Sequence, residues 1–402
     1  MTAMIYQGVD AEDHWREEIA RYSRLRHPNI VQLYAIVCAG HVYATIFYDD
    51  LIPVEQFLES YRHSPLSTLY LYSYFYAALT DAQKYFFSIS SKWLDRLDCT
   101  FWIRHSTTQF CAAISSNSSD VRVFCPIFTN FSWKPTSLRG LQWDAMVIAS
   151  VLPEEFYRIV YWYKMQSRCF LPPHLEPRVG CVFLASPAEL PVEIAFISDC
   201  AVEDNGWKLA SGGSPEHHAT NSGCTRFGST GLVGTLCRKI RYRGPKYSWF
   251  SQANYIFNCL SIDTNESDYV FIEQIELRIH LSPTSATPPT GYLFIRPFGI
   301  AQTPTRRTYW SRTANGGEEL HPNTARRLGF PDVAVFVTAW GQSWDGFVYS
   351  ALRQFHQGKG FDPEDEGMAQ HLGYPRYQLS VANNYNPQPL TKIQPGLWLW
   401  TS

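Results

Sequence analysis

Hydrophobic positions recur at helical spacing early in the chain and alternate at strand spacing later. In HWREEIARYSRLR, residues 14–26, Trp15, Ile19, Tyr22 and Leu25 fall close to a 3.6-residue repeat. That spacing predicts a helix, which the following His27-Pro28 stops. NIVQLYAIV and HVYATIFY then read as two short strands joined at Gly40. VEQFLESY and the long LSTLYLYSYFYAALTDAQKYFFSIS predict two further helices. From about Asn117 the texture changes to short strands, proline-containing loops and isolated helices. The chain is therefore divided into residues 1–116 and 117–402, with a sub-boundary near 211–229 around the loop LASGGSPEHHATNSG.

In the second region CVFLAS, VEIAFIS and IEQIELRIHL carry the best strand signals. In the last of these Ile275, Leu277, Ile279 and Leu281 alternate with Glu276, Arg278 and His280. SWDGFVYSALRQFHQ predicts an amphipathic helix with Phe347, Ala351 and Phe355 on one face beside Val348 and Leu352, and with Trp344 and His356 at its ends, either packed in the core or lining a cleft. ARRLGFP and AQHLGYP share one pattern, a helix C-terminus at which Gly329 and Gly373 supply the left-handed residue and Pro prevents continuation. The second of these helices is expected to start at FDPEDEG, with Asp362 as N-cap and Pro363 in the first turn. Helices and strands mixed in this way predict the α+β fold class.

Composition adds bounds. A chain of 402 residues that is 45% hydrophobic can bury a large core. Its net charge of -2 exerts no global pull on nucleic acid or an anionic membrane, so a nucleic-acid partner is not expected except through a local patch. Apolar runs such as AMVIAS are too short to span a bilayer, and no membrane partner is expected. The N-terminus shows no basic stretch followed by an apolar one, and the 10 cysteines form no C-x-x-C pair. A cytoplasmic protein with free thiols, no bound metal and no cofactor is the expectation. The 25 Phe, 24 Tyr and 13 Trp exceed what a core needs. The surplus either packs or lines a pocket for an apolar or aromatic small molecule.

Several clusters bear on chemistry. CRKIRYRGPKYSW gathers Arg238, Lys239, Arg241, Arg243 and Lys246 beside Tyr242, Tyr247 and Trp249. A phosphate or single-strand groove uses that mixture. The same stretch as a strand would also simply turn its cations to water and Ile240 and Tyr242 inward. Asn265, Tyr269 and Glu273 stand at i, i+4 and i+8, but a metal set at that spacing needs a helix, and the segment alternates as a strand. His217 and His218 adjoin Glu216 in a loop that offers no third ligand.

Residues 12–58 resemble the small lobe of protein kinases, most strongly in HPNIVQL. The resemblance implies that Glu18, nine residues before His27, occupies the place of the glutamate that pairs with a phosphate-holding lysine, and that Asp49 and Asp50 in IFYDDLIPVEQFL lie at the hinge. A weaker likeness through AALTDAQKYFFSISSKWLDRLDCTFWIRHSTTQFCAAI places Asp98 near the catalytic base. The first lysine of the chain is Lys84, no G-x-G-x-x-G precedes the helix, and neither H-R-D nor D-F-G occurs. The whole chain is similar to uncharacterised proteins of mushroom-forming fungi with a degenerate kinase-like N-terminal region, through DDLIPVEQFL, SWFSQANYIF and LRQFHQGKGFDP. The resulting expectation is a pseudokinase-like, non-catalytic protein that binds a ligand or a protein partner through Glu18, Asp49, Asp50 and Asp98. The alternative is an enzyme of specialised metabolism with cyclase-like or acid/base chemistry on an apolar or aromatic small molecule. Having lost its lysine, Glu18 must be rehydrated, take up a proton, or pair with an arginine such as Arg62 or Arg104.

Overall fold

The computed structural model describes residues 1–40, 42–92, 94, 99–114, 143–163, 165–170, 178–185, 191–198, 200–230, 232–285, 289–297 and 307–380. The first elements are β1 (Thr2–Tyr6), α1 (Ala11–Tyr22), β2 (Leu33–Ala39), β3 (Val42–Phe47), β4 (Leu51–Pro53), α2 (Val54–Glu59), α3 (Pro65–Ser90), β5 (Cys99–Arg104) and β6 (Phe110–Ile114). Strands β1, β3 and β2 form an antiparallel sheet against which α1 packs, while β4, β5 and β6 form a second one. Gly40 turns the β2–β3 hairpin with φ +60°, a left-handed conformation that glycine adopts without a Cβ penalty.

Helix α3 opens with Ser64, whose side chain accepts from the Ser67 N–H, followed by Pro65 in the first turn. It buries Leu66, Leu69, Tyr70 and Phe75 in one large cluster. That cluster also takes Phe110 and Ala112 from β6, and it continues into the helices of the second region.

The later elements are α4 (Trp143–Ser150), α5 (Pro153–Trp162), β7 (Gln166–Phe170), β8 (Cys181–Leu184), β9 (Val192–Ile197), β10 (Val202–Leu209), β11 (His217–Ala219), β12 (Thr225–Gly228), β13 (Gly234–Tyr242), α6 (Ala253–Cys259), β14 (Tyr269–Ser282), β15 (Tyr292–Ile295), β16 (Thr308–Ser311), α7 (Pro322–Arg327), β17 (Asp332–Ser343), α8 (Gly346–Gly358), α9 (Gly367–His371) and β18 (Tyr377–Leu379). The fold class is mixed α+β. No helix among the described residues is long and apolar enough to cross a membrane.

The 14-residue β14 is the spine of the larger sheet. It pairs antiparallel with β13 and β8 along one edge and with β17 along the other. Strand β10 extends the sheet beyond β13, and β7 extends it beyond β17. One face of this sheet is covered in two parts. Near Tyr269 to Ile275 the helices α5, α6 and α8 cover it, with Phe156, Phe250, Ile256, Trp344, Leu352 and Phe355 in the core. Near Leu277 to Leu281 the small sheet β11–β12–β15–β16 covers it, with Trp207, Phe227, Leu293, Trp310 and Phe330 between the layers. The alternation of Ile275, Leu277, Ile279 and Leu281 supplies both cores from one strand face.

Helix α8 follows the amphipathic pattern, with Asp345 accepting from the Val348 N–H at its N-terminus. Gly329 (φ +91°) and Gly373 (φ +65°) end α7 and α9 as their shared motif predicts. FDPEDEG behaves differently from expectation. Asp362 accepts from the Glu364 N–H at 2.9 Å in a turn, and the helix begins only at Gly367, with Glu366 preceding it. Side-chain turns compete with helix at closely spaced Asp residues, and here they postpone its start.

Candidate functional site

Glu18 and Asp49 lie in two different polar clusters. On α1 the side chains at 18, 21 and 22 fall on one face, aimed at the end of β6. Arg21 donates to Glu18 at 2.8 Å and to the Ile114 carbonyl at 3.0 Å, while the Tyr22 hydroxyl accepts from the Ile114 N–H at 2.5 Å. Glu18 is 9% exposed. Burial raises its carboxyl above the ordinary value, Arg21 opposes that shift, and Glu17 adds to it. The arginine that answers Glu18 is thus Arg21, one turn away on the same helix. Arg62 pairs with Glu59 and Arg104 with Asp49. The strand ahead of α1 carries Tyr6 rather than a lysine. Its phenol, within hydrogen-bond reach of Thr45 (3.2 Å), is raised chiefly by burial, with the Glu18 charge contributing.

Asp49 sits in a left-handed turn, φ +71°, where Arg104 donates to it at 2.6 Å and Ser106 at 2.8 Å. Burial raises this carboxyl, but the bonds from Arg104 and Ser106 and the Arg104 charge outweigh it, and the group ends below its ordinary value. Arg104 also donates to the Pro28 carbonyl at 3.3 Å and the Ile30 carbonyl at 3.1 Å. One buried guanidinium therefore ties the His27–Val31 segment to the turn between β3 and β4. Asp50 is exposed and gives its carbonyl to the His105 N–H. Asp98 lies outside the described residues. Both carboxylates with partners are committed to internal pairs.

A half-open concavity lies elsewhere. Beside the C-terminal end of β13 and the Glu273–Gln274 stretch of β14, a cleft of about 280 Å³ is lined by Arg241, Tyr242, Arg243, Lys246, Glu273 and Gln274. Arg241 donates to Gln274 at 2.8 Å, Arg243 donates to Glu203 at 2.6 Å, and Lys246 stands 5.8 Å above the ring of Tyr161. Glu273 accepts from the Tyr161 hydroxyl at 2.5 Å. Burial first, then the Glu273 carboxylate, pushes the Tyr161 phenol far upward, so it remains a neutral donor. Behind the cleft, Tyr161 packs on Tyr247, Phe250 and Trp344. Tyr242 is the one ring among the cleft's lining residues, and the aromatic surplus packs in the adjoining core. A second cleft of about 210 Å³ lies between β16 and α7, beside Trp310 and Asp332. Neither cleft is lined by Glu18, Asp49 or Asp50.

The cationic stretch CRKIRYRGPKYSW is thus legible as this cleft's edge, with Ile240 and Tyr242 turned to the core as the strand pattern requires. Glu273 belongs to a strand, so Asn265, Tyr269 and Glu273 do not share a helical face. His217 and His218 are exposed on β11, and no group of three or more His, Cys, Asp or Glu suited to a metal occurs among the described residues. No family model, curated protein or solved structure matches the chain. The contribution of Tyr161 has no sequence signal, because it depends on α5 meeting β14 more than 100 residues away.

Proposed function

We propose that the chain is a binding protein whose ligand is a small anion carrying a hydroxyl or amine, such as a phosphate monoester of an amino alcohol, held in the cleft beside the end of β13 and Glu273 of β14. The observation that carries this reading is the convergence of Arg241, Arg243 and Lys246 on one concavity that also holds a carboxylate, Glu273. Cations recognise the anionic group, and Glu273 and Gln274 accept from its donors. The cleft is too polar for the apolar substrate of a cyclase. In the kinase-like reading of the N-terminal region, Glu18 and Asp49 serve structure, because each is held by an arginine. Catalysis of phosphoryl transfer is not part of this proposal, since neither H-R-D nor D-F-G occurs in the sequence.

Titration calorimetry at low salt with phosphoethanolamine, which carries an amine, and with phenyl phosphate and inorganic phosphate, which do not, tests it. Saturable binding of phosphoethanolamine is expected, weakened about tenfold by Lys246→Ala or Arg241→Ala, the loss of one charge-assisted contact. Absence of binding, or binding indifferent to both substitutions, would remove the cleft from consideration.

A further inference from the structure

Opposite the two cores, along the Gln274–Arg278 stretch of β14, the large sheet carries the exposed residues Arg241, Arg278, Phe336 and Trp340, and the strand registers place the side chains of this face in rows. Arg241, Gln274, Trp340 and Cys169 are directly opposite one another across β13, β14, β17 and β7. Lys239, Glu276 and Thr338 form the next row, and Cys237, Arg278 and Phe336 the third. Opposite residues share a face, and their sequence neighbours Ile275, Leu277 and Ile279 point into the cores, so all three rows face outward.

This surface combines two features. Trp340 is 40% and Phe336 51% exposed, large rings that a sheet would bury if only packing mattered. They stand four residues apart on one strand, roughly 13 Å, too far for one small ring to stack on both. Arg278 stands opposite Phe336 on β14, and Lys239 and Arg241 lie one strand farther, on β13. Two carboxylates belong to these rows: Glu276 is 3% exposed and sunk beneath Arg278 at 3.0 Å and Lys239 at 3.8 Å, and Glu203, opposite Arg241 on β10, is held by Arg243. Outward, the rows therefore present cations and rings.

We propose that this face binds single-stranded nucleic acid, with two unstacked bases on Trp340 and Phe336 and the phosphates between them on Arg278, Lys239 and Arg241. Each feature alone admits other ligands. An acidic peptide uses the cations and leaves the rings idle, and a neutral glycan uses the rings and leaves the cations idle. A duplex hides the base faces that the rings need. A single strand uses both. The overall charge of -2 does not oppose this, because the attraction is local. The site goes beyond the anion cleft and shares Arg241 and Gln274 with it.

The test is fluorescence anisotropy of labelled 15-mer oligo(dT) and oligo(U) with the full chain at several NaCl concentrations. Saturable binding is expected, with a log–log salt slope of about -2 for three phosphate contacts. The double variant Trp340→Ala/Phe336→Ala should weaken binding at least tenfold at an unchanged slope, and Lys239→Gln/Arg241→Gln should flatten the slope. Because these side chains are partly or largely exposed, urea unfolding should confirm that the variants stay folded. No binding at 50 mM NaCl, equal affinity for a duplex or for a polyglutamate peptide, or indifference to the ring variant would overturn the proposal. Lys246→Ala separates the two sites: it should weaken phosphoethanolamine binding and leave the oligonucleotide affinity unchanged.

Discussion

His356 shows how a single buried group couples this structure to pH. It lies on α8 at 2% exposure, with the Tyr157 hydroxyl 2.7 Å from Nε2. Burial lowers its pKa from 6.5 to about 4. Between those values the unfolded chain takes up a proton that the folded chain refuses, so stability falls as the pH drops from 6.5 toward 4. The full loss is roughly 3 kcal/mol, of which about 2 kcal/mol has gone by pH 5. Glu18 acts in the opposite sense. Its raised carboxyl means that the folded state holds the proton more tightly, and stability is lost as the pH rises through the folded value. The clean measurement is therefore a difference. Urea unfolding of wild type and His356→Gln at pH 7.5 and 5.0 should show a steeper acid loss in wild type by about 2 kcal/mol. Parallel curves would mean that the imidazole is charged, or reached by water, in the folded state.

At the scale of elements, local signals are legible where one strand or helix decides its own outcome. The turns at Gly329 and Gly373, the amphipathic α8 and the alternating β14 all arise from residues within a few positions of each other. Strand β1 is not legible, because TAMIY becomes a strand by pairing with β3 some 40 residues away. The same limit applies to the candidate sites. The cations of β13 are visible as a cluster, but Trp340 and Phe336 join them only through the register of β17 on β14, which sequence does not report. Glu18 stands out in the sequence as a carboxylate in need of a partner. That partner is neither of the distant arginines expected for it but Arg21, at i+3 on its own helix, where side chains meet. A prediction belongs at this scale too. Asp345 caps α8 by accepting from the Val348 N–H at 3.3 Å, so Asp345→Ala should cost about 1 kcal/mol in urea unfolding while Asp345→Asn recovers most of it. Equal losses in both variants would show that the charge beside the helix N-terminus, not the cap, was the stabilising element.

For the whole molecule, the composition break near residue 116 does not coincide with a break in the core. Strand β6 serves two clusters. Cys111 packs with Tyr22, Ile30 and Phe47, whereas its neighbours Phe110 and Ala112 join the large cluster that holds Val147, Phe156, Leu352 and Phe355. Helix α3 strengthens the link. Ser64 and Ser67 each donate to Asp144 at 2.6 Å, and Tyr72 packs edge-on against Tyr163. Unfolding the N-terminal part alone would strip Leu66, Leu69 and Tyr70 from that cluster and expose its other side to water, at a few kcal/mol for each large side chain. The two parts should consequently unfold together. Two buried thiols report on them separately: Cys111, raised by burial to about 12, and Cys181, raised well above its ordinary value by full burial. A thiol reagent reacts with thiolate, so both are silent until their surroundings open. Pulsed labelling across a urea series, read by mass spectrometry, should find Cys111 and Cys181 becoming reactive at the same urea concentration, while exposed Cys38, Cys169 and Cys259 react throughout. If Cys111 were labelled at clearly lower urea than Cys181, the N-terminal part would be an independent folding unit, and the shared cluster would be an interface rather than a core.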